Sequence, residues 1–181
     1  MSWLKLAIGM LFFGLATATP RRNVPPERVD TFRTIAAFQE VVAISTSTND
    51  TSFKCLSAIR TEYDPEAKTA TYVWRLRGQG GTERRNVTFT ITAGTTSNQA
   101  NYIVDADNTT VYTGYTHYTD FQNCLITTIT YRDHDHCLLW VQRSVANDIP
   151  QNCLQNYEAN CDVRVPIFDM DLCNNDEGHQ S

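Results

Sequence analysis

Five consecutive residues late in the chain, Asp133-His134-Asp135-His136-Cys137, hold the side-chain types of a metal site or of a nucleophile with its base. His134 and His136 are two apart, so on a strand both would face one side. Zinc needs further ligands, and the remaining histidines, His117 and His179, stand at no zinc-type spacing from this pair. The run lies between two apolar stretches, 123–131 and 137–144, which makes it a polar hairpin turn closed by a structural cysteine. No G-x-S-x-G elbow, H-E-x-x-H pair or Gly-rich phosphate loop occurs anywhere. The chain therefore reads as a non-enzyme that needs no metal and no cofactor.

What remains is the chemistry of a pocket. In "TATYVWRLR", Tyr72 and Trp74 share one face of a strand while Arg75 and Arg77 share the other. Opposed faces of this kind are what the wall of a barrel requires. Val42, Phe89, Ile91, Tyr102, Tyr112 and Ile129 offer similar faces on other strands. With Tyr72 and Trp74 they form the expected lining, mainly apolar with hydroxyls at intervals, as ligand pockets usually are. A sterol suits such a lining, with a tyrosine hydroxyl to hold its own.

These residues must be positioned by strands. Eight are expected, over residues 38–45, 53–63, 69–77, 85–93, 100–105, 109–116, 123–131 and 137–144, with "STND", "DPEAK", "GQGGTE", "GTTSN", "DADN" and "DHDH" between them. A short helix precedes them, N-capped by Asp30, with Phe32, Ile35 and Ala36 on one face. A second helix follows in "DIPQNCLQNYEANC", with Asp148 as its cap and Pro150 in its first turn. The tail "DVRVPIFDMDLC" reads as extended, with Ile167, Phe168 and Met170 packed beneath the strands. An up-and-down barrel and a β-sandwich both fit this all-β pattern.

The first eighteen residues read as a signal peptide: Lys5, an apolar run from Leu6 to Leu15, and Ala16-Thr17-Ala18 before the cleavage point. Residues 19–181 then form one domain, with an extended leader over 19–29 and a flexible tail over 174–181. No later stretch is apolar enough to span a membrane as a helix. Cleavage removes Lys5 from the 15 basic residues, leaving 14 against 20 acidic ones. That balance argues against nucleic-acid binding, which needs a basic face. Six cysteines in an exported chain imply three disulfides, with the pairing left open. Asn49, Asn86 and Asn108 each begin an N-x-T sequon and are expected to carry glycans.

"CLSAIRTEYDPEAKTATYVW", "CLLWV" and "IPQNCL" together resemble the tick salivary lipocalins, and within them the japanin-like branch. The likeness covers nearly all of the mature chain. It implies an eight-stranded antiparallel lipocalin barrel with the second helix packed outside. It also implies the pairings Cys55–Cys173 and Cys124–Cys153, which leave Cys137 and Cys161 for a third bridge. Family ligands include biogenic amines, leukotriene-type mediators and, in the japanin-like branch, cholesterol. The amine binders' seventh-strand motif resembles Cys-Asp-Val, where this chain has Cys124-Leu125-Ile126. "CDV" does occur at Cys161-Asp162-Val163, but past the second helix. Phe32 stands where the family has an early tryptophan. The resemblance thus implies a secreted monomer that binds a small hydrophobic host molecule, cholesterol first. It would modulate host immunity, with a dendritic-cell surface protein as a further partner. Scavenging of histamine, serotonin or leukotrienes is the alternative.

Overall fold

The computed structural model describes residues 28–174. The expected signal peptide, most of the leader and all of the tail beyond Asn174 lie outside the described residues. Eight strands form the barrel: β1 Glu40–Thr46, β2 Ser57–Asp64, β3 Thr69–Arg77, β4 Arg84–Ala93, β5 Gln99–Val104, β6 Tyr112–Thr119, β7 Cys124–Tyr131 and β8 His134–Val141. Each pairs antiparallel with its neighbour in sequence, and β1 pairs with both β8 and β2, so the sheet closes on itself. Closure removes the unpaired edges that an open sheet would expose. A two-residue strand, β9 Val165–Pro166, adds to β1 on the outside.

The barrel ends are closed differently. At one end lies helix α1 Thr31–Ala37, whose Asp30 cap accepts a bond from the Arg33 N–H, as expected. It buries Thr31, Thr34 and Ile35, whereas Ala36 is exposed and Phe32 half-buried. A helix of seven residues has two turns, too few for apolar periodicity to mark its inner face. Threonines do that work here. Thr31 N–H donates to Ser97 O, and the Arg60 guanidinium donates to the Ile35 carbonyl.

At the other end a single 3-10 turn, Thr51–Phe53, drives Phe53 into the barrel mouth, where it is 0% exposed. Its ring meets Trp74 edge-on at 5.7 Å, His136 at 4.7 Å and Tyr131 at 6.1 Å. Trp74 in turn lies 4.4 Å from Phe89 and 5.5 Å from Trp140. Leu56, Leu76, Val87 and Leu138 complete this inner core. The expected strand over 53–63 therefore starts later, at Ser57. Its first residues are this plug.

A second apolar layer lies outside the barrel. Val42, Ile44, Ile126, Leu139 and Val141 face helix α2 Gln151–Asn160, which contributes Cys153 and Tyr157. β1 and β8 are thus buried on both faces and lack any alternation of apolar and polar residues. This corrects one lining residue: Val42 belongs to the outer layer, while its neighbours Val41 and Ala43 belong to the inner core. Helix α2 is N-capped by Pro150 rather than Asp148, and the tail ends in a short helix, α3 Met170–Asn174. Ile167 packs inward at 4% exposure and Phe168 lies half-buried against the outer layer, but Met170 stands 49% exposed.

Three disulfides join Cys55 to Cys173, Cys124 to Cys153 and Cys137 to Cys161. They tie the plug to α3, β7 to α2, and β8 to the end of α2.

Candidate functional site

Between α1 and the aromatic plug lies a cavity of about 100 Å³. Each of the eight barrel strands contributes to its wall. Tyr72 and Trp74 come from β3, Phe89 and Ile91 from β4, Tyr102 from β5 and Ile129 from β7, six of the eight residues expected there. Tyr112, the first residue of β6, stacks on Tyr102 at 5.6 Å with the planes 20° apart, and it faces the mouth instead. It shares the inward side of β6 with Gly114 and Thr116, but as the first residue of the strand it lies at the plug end, away from the cavity. Gly114 also lines the cavity, and a Cβ there would stand 3.2 Å from the Tyr102 ring, so the ring's position depends on this glycine.

Sequence reasoning missed much of the lining, including Thr31, Thr34, Ile35 and Phe38 at the α1 end, Thr116 on β6, and Leu125, Thr127 and Trp140 on β7 and β8. Leu125, Thr127 and Ile129 alternate along β7 and could have been read as one face. The α1 threonines gave no such signal. Among the described residues, none that lines the cavity carries a charge.

The hydroxyls of Tyr72 and Tyr102 already bond the backbone. Tyr72 Oη donates to the Phe38 carbonyl, and burial pushes its pKa up to about 12. Tyr102 Oη donates to Thr130 O at 2.8 Å and accepts from Thr130 N–H at 2.7 Å; burial pushes it to about 12 as well. Both phenols are neutral, and both give their hydrogen to the backbone.

Of the Asp-His-Asp-His run only Asp133 lies in the hairpin turn. Arg132 and Asp133, with φ of 51° and 62°, form a two-residue turn whose twist suits a hairpin, so β8 begins at His134. His136 is 2% exposed; its Nδ1 meets Thr48 Oγ1 at 2.8 Å and its Nε2 meets Tyr131 O at 3.1 Å. Burial lowers its pKa, against the raising effects of the Tyr131 carbonyl, Asp50 and Asp135. Both ring nitrogens are committed to the plug, where the imidazole packs on Phe53.

One trio of described residues, Asp120, Cys124 and Cys153, brings metal-type ligand atoms within 4.8 Å. The two sulfurs are bonded to each other. The Asp120 carboxylate caps the turn before β7, accepting from the N–H groups of Gln122, Asn123 and Cys124 and from the Asn123 side chain. Partial burial would raise its pKa, but these bonds outweigh it and hold the carboxyl below its usual value. The sequon residues Asn49, Asn86 and Asn108 are all exposed.

Comparison with known proteins agrees with this geometry. The solved structures similar to it include the AM182 serotonin complex, with a TM-score of 0.59, 13% identity, and 77% of this chain covering 90% of that one. Japanin from Rhipicephalus appendiculatus bound to cholesterol aligns with a TM-score of 0.55 and 15% identity, over 74% of this chain and 94% of japanin. Lobster apocrustacyanin A1 aligns with a TM-score of 0.56 and 13% identity, over 79% and 83%. At such identities these likenesses establish the lipocalin-type barrel alone. No curated protein sequence matches the chain. The model of the tick histamine binding protein family, however, matches residues 33–175. The chain belongs to the tick histamine binding protein family.

Proposed function

We propose that this protein is a secreted carrier that sequesters a neutral, largely apolar small molecule in the cavity between α1 and the aromatic plug. The observation that carries this reading is a lining of aromatic and aliphatic side chains with hydroxyls but no charge. An ammonium group taken from water into such a wall would lose several kcal/mol of hydration with no carboxylate to replace it. Leu125, where the family's amine binders resemble Cys-Asp-Val, is one of the apolar residues in that wall. The three disulfides fit an extracellular protein. No helix among the described residues is long and apolar enough to cross a membrane.

Size constrains the ligand further. Pockets for drug-sized molecules measure roughly 300–1,000 Å³, so a cavity of about 100 Å³ favours a compact guest. Cholesterol is the largest candidate in the class, and it would have to displace part of the Phe53–Trp74–Phe89 partition. Capture of such a molecule from the host, with an effect on its immune cells, is the role this reading assigns.

Trp74 and Trp140 line the cavity and report its occupancy. Titration of tryptophan fluorescence with cholesterol, a compact neutral aromatic such as acetophenone, histamine and serotonin tests the reading. Saturable quenching by a neutral ligand and none by the amines is the expected result. Sub-micromolar binding of either amine would overturn it.

A further inference from the structure

Within the apolar cavity, three buried threonines meet. Thr31 on α1, Thr116 on β6 and Thr127 on β7 are 7%, 4% and 9% exposed. Thr31 Oγ1 and Thr116 Oγ1 lie 3.1 Å apart and share one hydrogen, whichever of the two donates it. The other hydroxyl of the pair keeps its own. Thr127 Oγ1 accepts from the Trp140 indole N–H at 3.1 Å, so its hydrogen is also left over. Neither spare hydrogen has an acceptor among the described residues. Thr116 and Thr127 stand directly opposite each other on β6 and β7. Cross-strand partners have Cβ atoms about 4.5–5.5 Å apart, so their hydroxyls serve the same small volume. Thr34, the fourth threonine of the lining, is different: it donates to Asp30 O at 2.7 Å and is spent.

Two uncommitted donors in an otherwise apolar wall are costly to bury unless something accepts from them. A carbonyl oxygen, with two lone pairs, matches two adjacent O–H groups. An ammonium, which only donates, does not. We propose that Thr31, Thr116 and Thr127 form an oxygen-acceptor subsite that selects, among neutral apolar molecules, those carrying a ketone or similar acceptor oxygen. This rests on the reading of the cavity as the ligand site and specifies which neutral molecules it prefers. The polar end of the ligand then lies against β6, β7 and α1, and its apolar body against Trp74 and Phe89.

The test pairs acetophenone with ethylbenzene, which differ by C=O against CH₂ at nearly equal size. Isothermal titration of the full secreted chain is expected to show acetophenone binding roughly fivefold to tenfold tighter, the worth of one to two net hydrogen bonds. Replacing Thr31 and Thr116 together by valine removes the pair's spare hydrogen, leaves the Thr127–Trp140 bond intact and should cut that preference to about twofold, with ethylbenzene affinity held or improved. Replacing the same pair by serine, which keeps both hydroxyls, should retain the preference. Equal affinities in the unaltered chain, or a preference that survives the paired valine substitution, would overturn the subsite while leaving the cavity as a ligand site. Failure of the unaltered chain to bind either molecule would instead remove the ligand-cavity reading and the subsite with it.

Discussion

Phe53→Ala is the sharpest perturbation of this architecture, because one side chain closes the mouth of the barrel. Phe53 is 0% exposed and touches Trp74, Tyr131 and His136 through ring contacts of 4.7 to 6.1 Å. Truncating a buried phenylalanine to alanine typically costs about 3–5 kcal/mol, the lost transfer energy plus the cavity left behind. The upper part of that range applies here. The Cys55–Cys173 bridge holds the segment near the mouth, so the backbone cannot readily collapse into the space. For a domain of this size each kcal/mol moves Tm by roughly 2–4 °C, which gives a fall of about 8–20 °C. Urea denaturation with disulfides intact, followed by tryptophan fluorescence, measures the loss as a shifted midpoint at constant slope. The same variant merges the plug's volume with the cavity, so bulkier neutral ligands such as cholesterol should bind tighter. A loss under about 1 kcal/mol would refute the reasoning. It would mean that Phe53 sits in a loose surface loop and not in the core.

Three further outcomes follow from the same structure. Replacing Cys55 and Cys173 together by serine opens a closed loop with a sequence separation of 118, worth up to about 5 kcal/mol on the chain-entropy model, whereas opening the Cys124–Cys153 loop, separation 29, costs at most about 3.6 kcal/mol; paired thermal melts of the two double variants check the order. His136 must stay neutral in the plug, so its folded pKa lies below the unfolded value near 6.5. Its contribution is therefore intact above about pH 6.5 and lost as pH falls through the folded pKa. His136→Gln should flatten that acid slope in denaturation midpoints taken from pH 7 to 5, leaving the smaller contribution of half-buried His117, whose pKa burial also lowers. Finally, Asn49, Asn86 and Asn108 are exposed, and expression in eukaryotic cells should yield a mass that drops on enzymatic deglycosylation and shifts with each Asn→Gln substitution.

The sequence was most legible where one face of a strand is wet. Along β3, Tyr72 and Trp74 alternate with Val73 and Arg75, and the structure turns the aromatic pair into the cavity. Along β1, "EVVAIST", the outer face is buried in the outer apolar layer, so no alternation survives to separate Val41 from Val42. The turn at Arg132-Asp133 lacks the Gly or Asn that usually marks a two-residue hairpin, which is why His134 to His136 read as loop. The plug was hidden for a related reason. "SFKCLSA" has strand-like composition, but Cys55 takes a φ of 60° and breaks the strand between Phe53 and Ser57. The buried threonines left no trace in any hydrophobic pattern, although Thr31, Thr116 and Thr127 supply two buried, uncommitted hydroxyl hydrogens to the cavity.

The central claim is that the barrel holds a neutral, largely apolar molecule. The most direct measurement is to express the chain in eukaryotic cells, extract the folded, purified protein with organic solvent, and identify what is released by mass spectrometry. The account predicts a neutral apolar compound bearing an acceptor oxygen, at close to one per protein. A biogenic amine released in that proportion, or an empty extract from protein that then binds serotonin at sub-micromolar concentration, would contradict it.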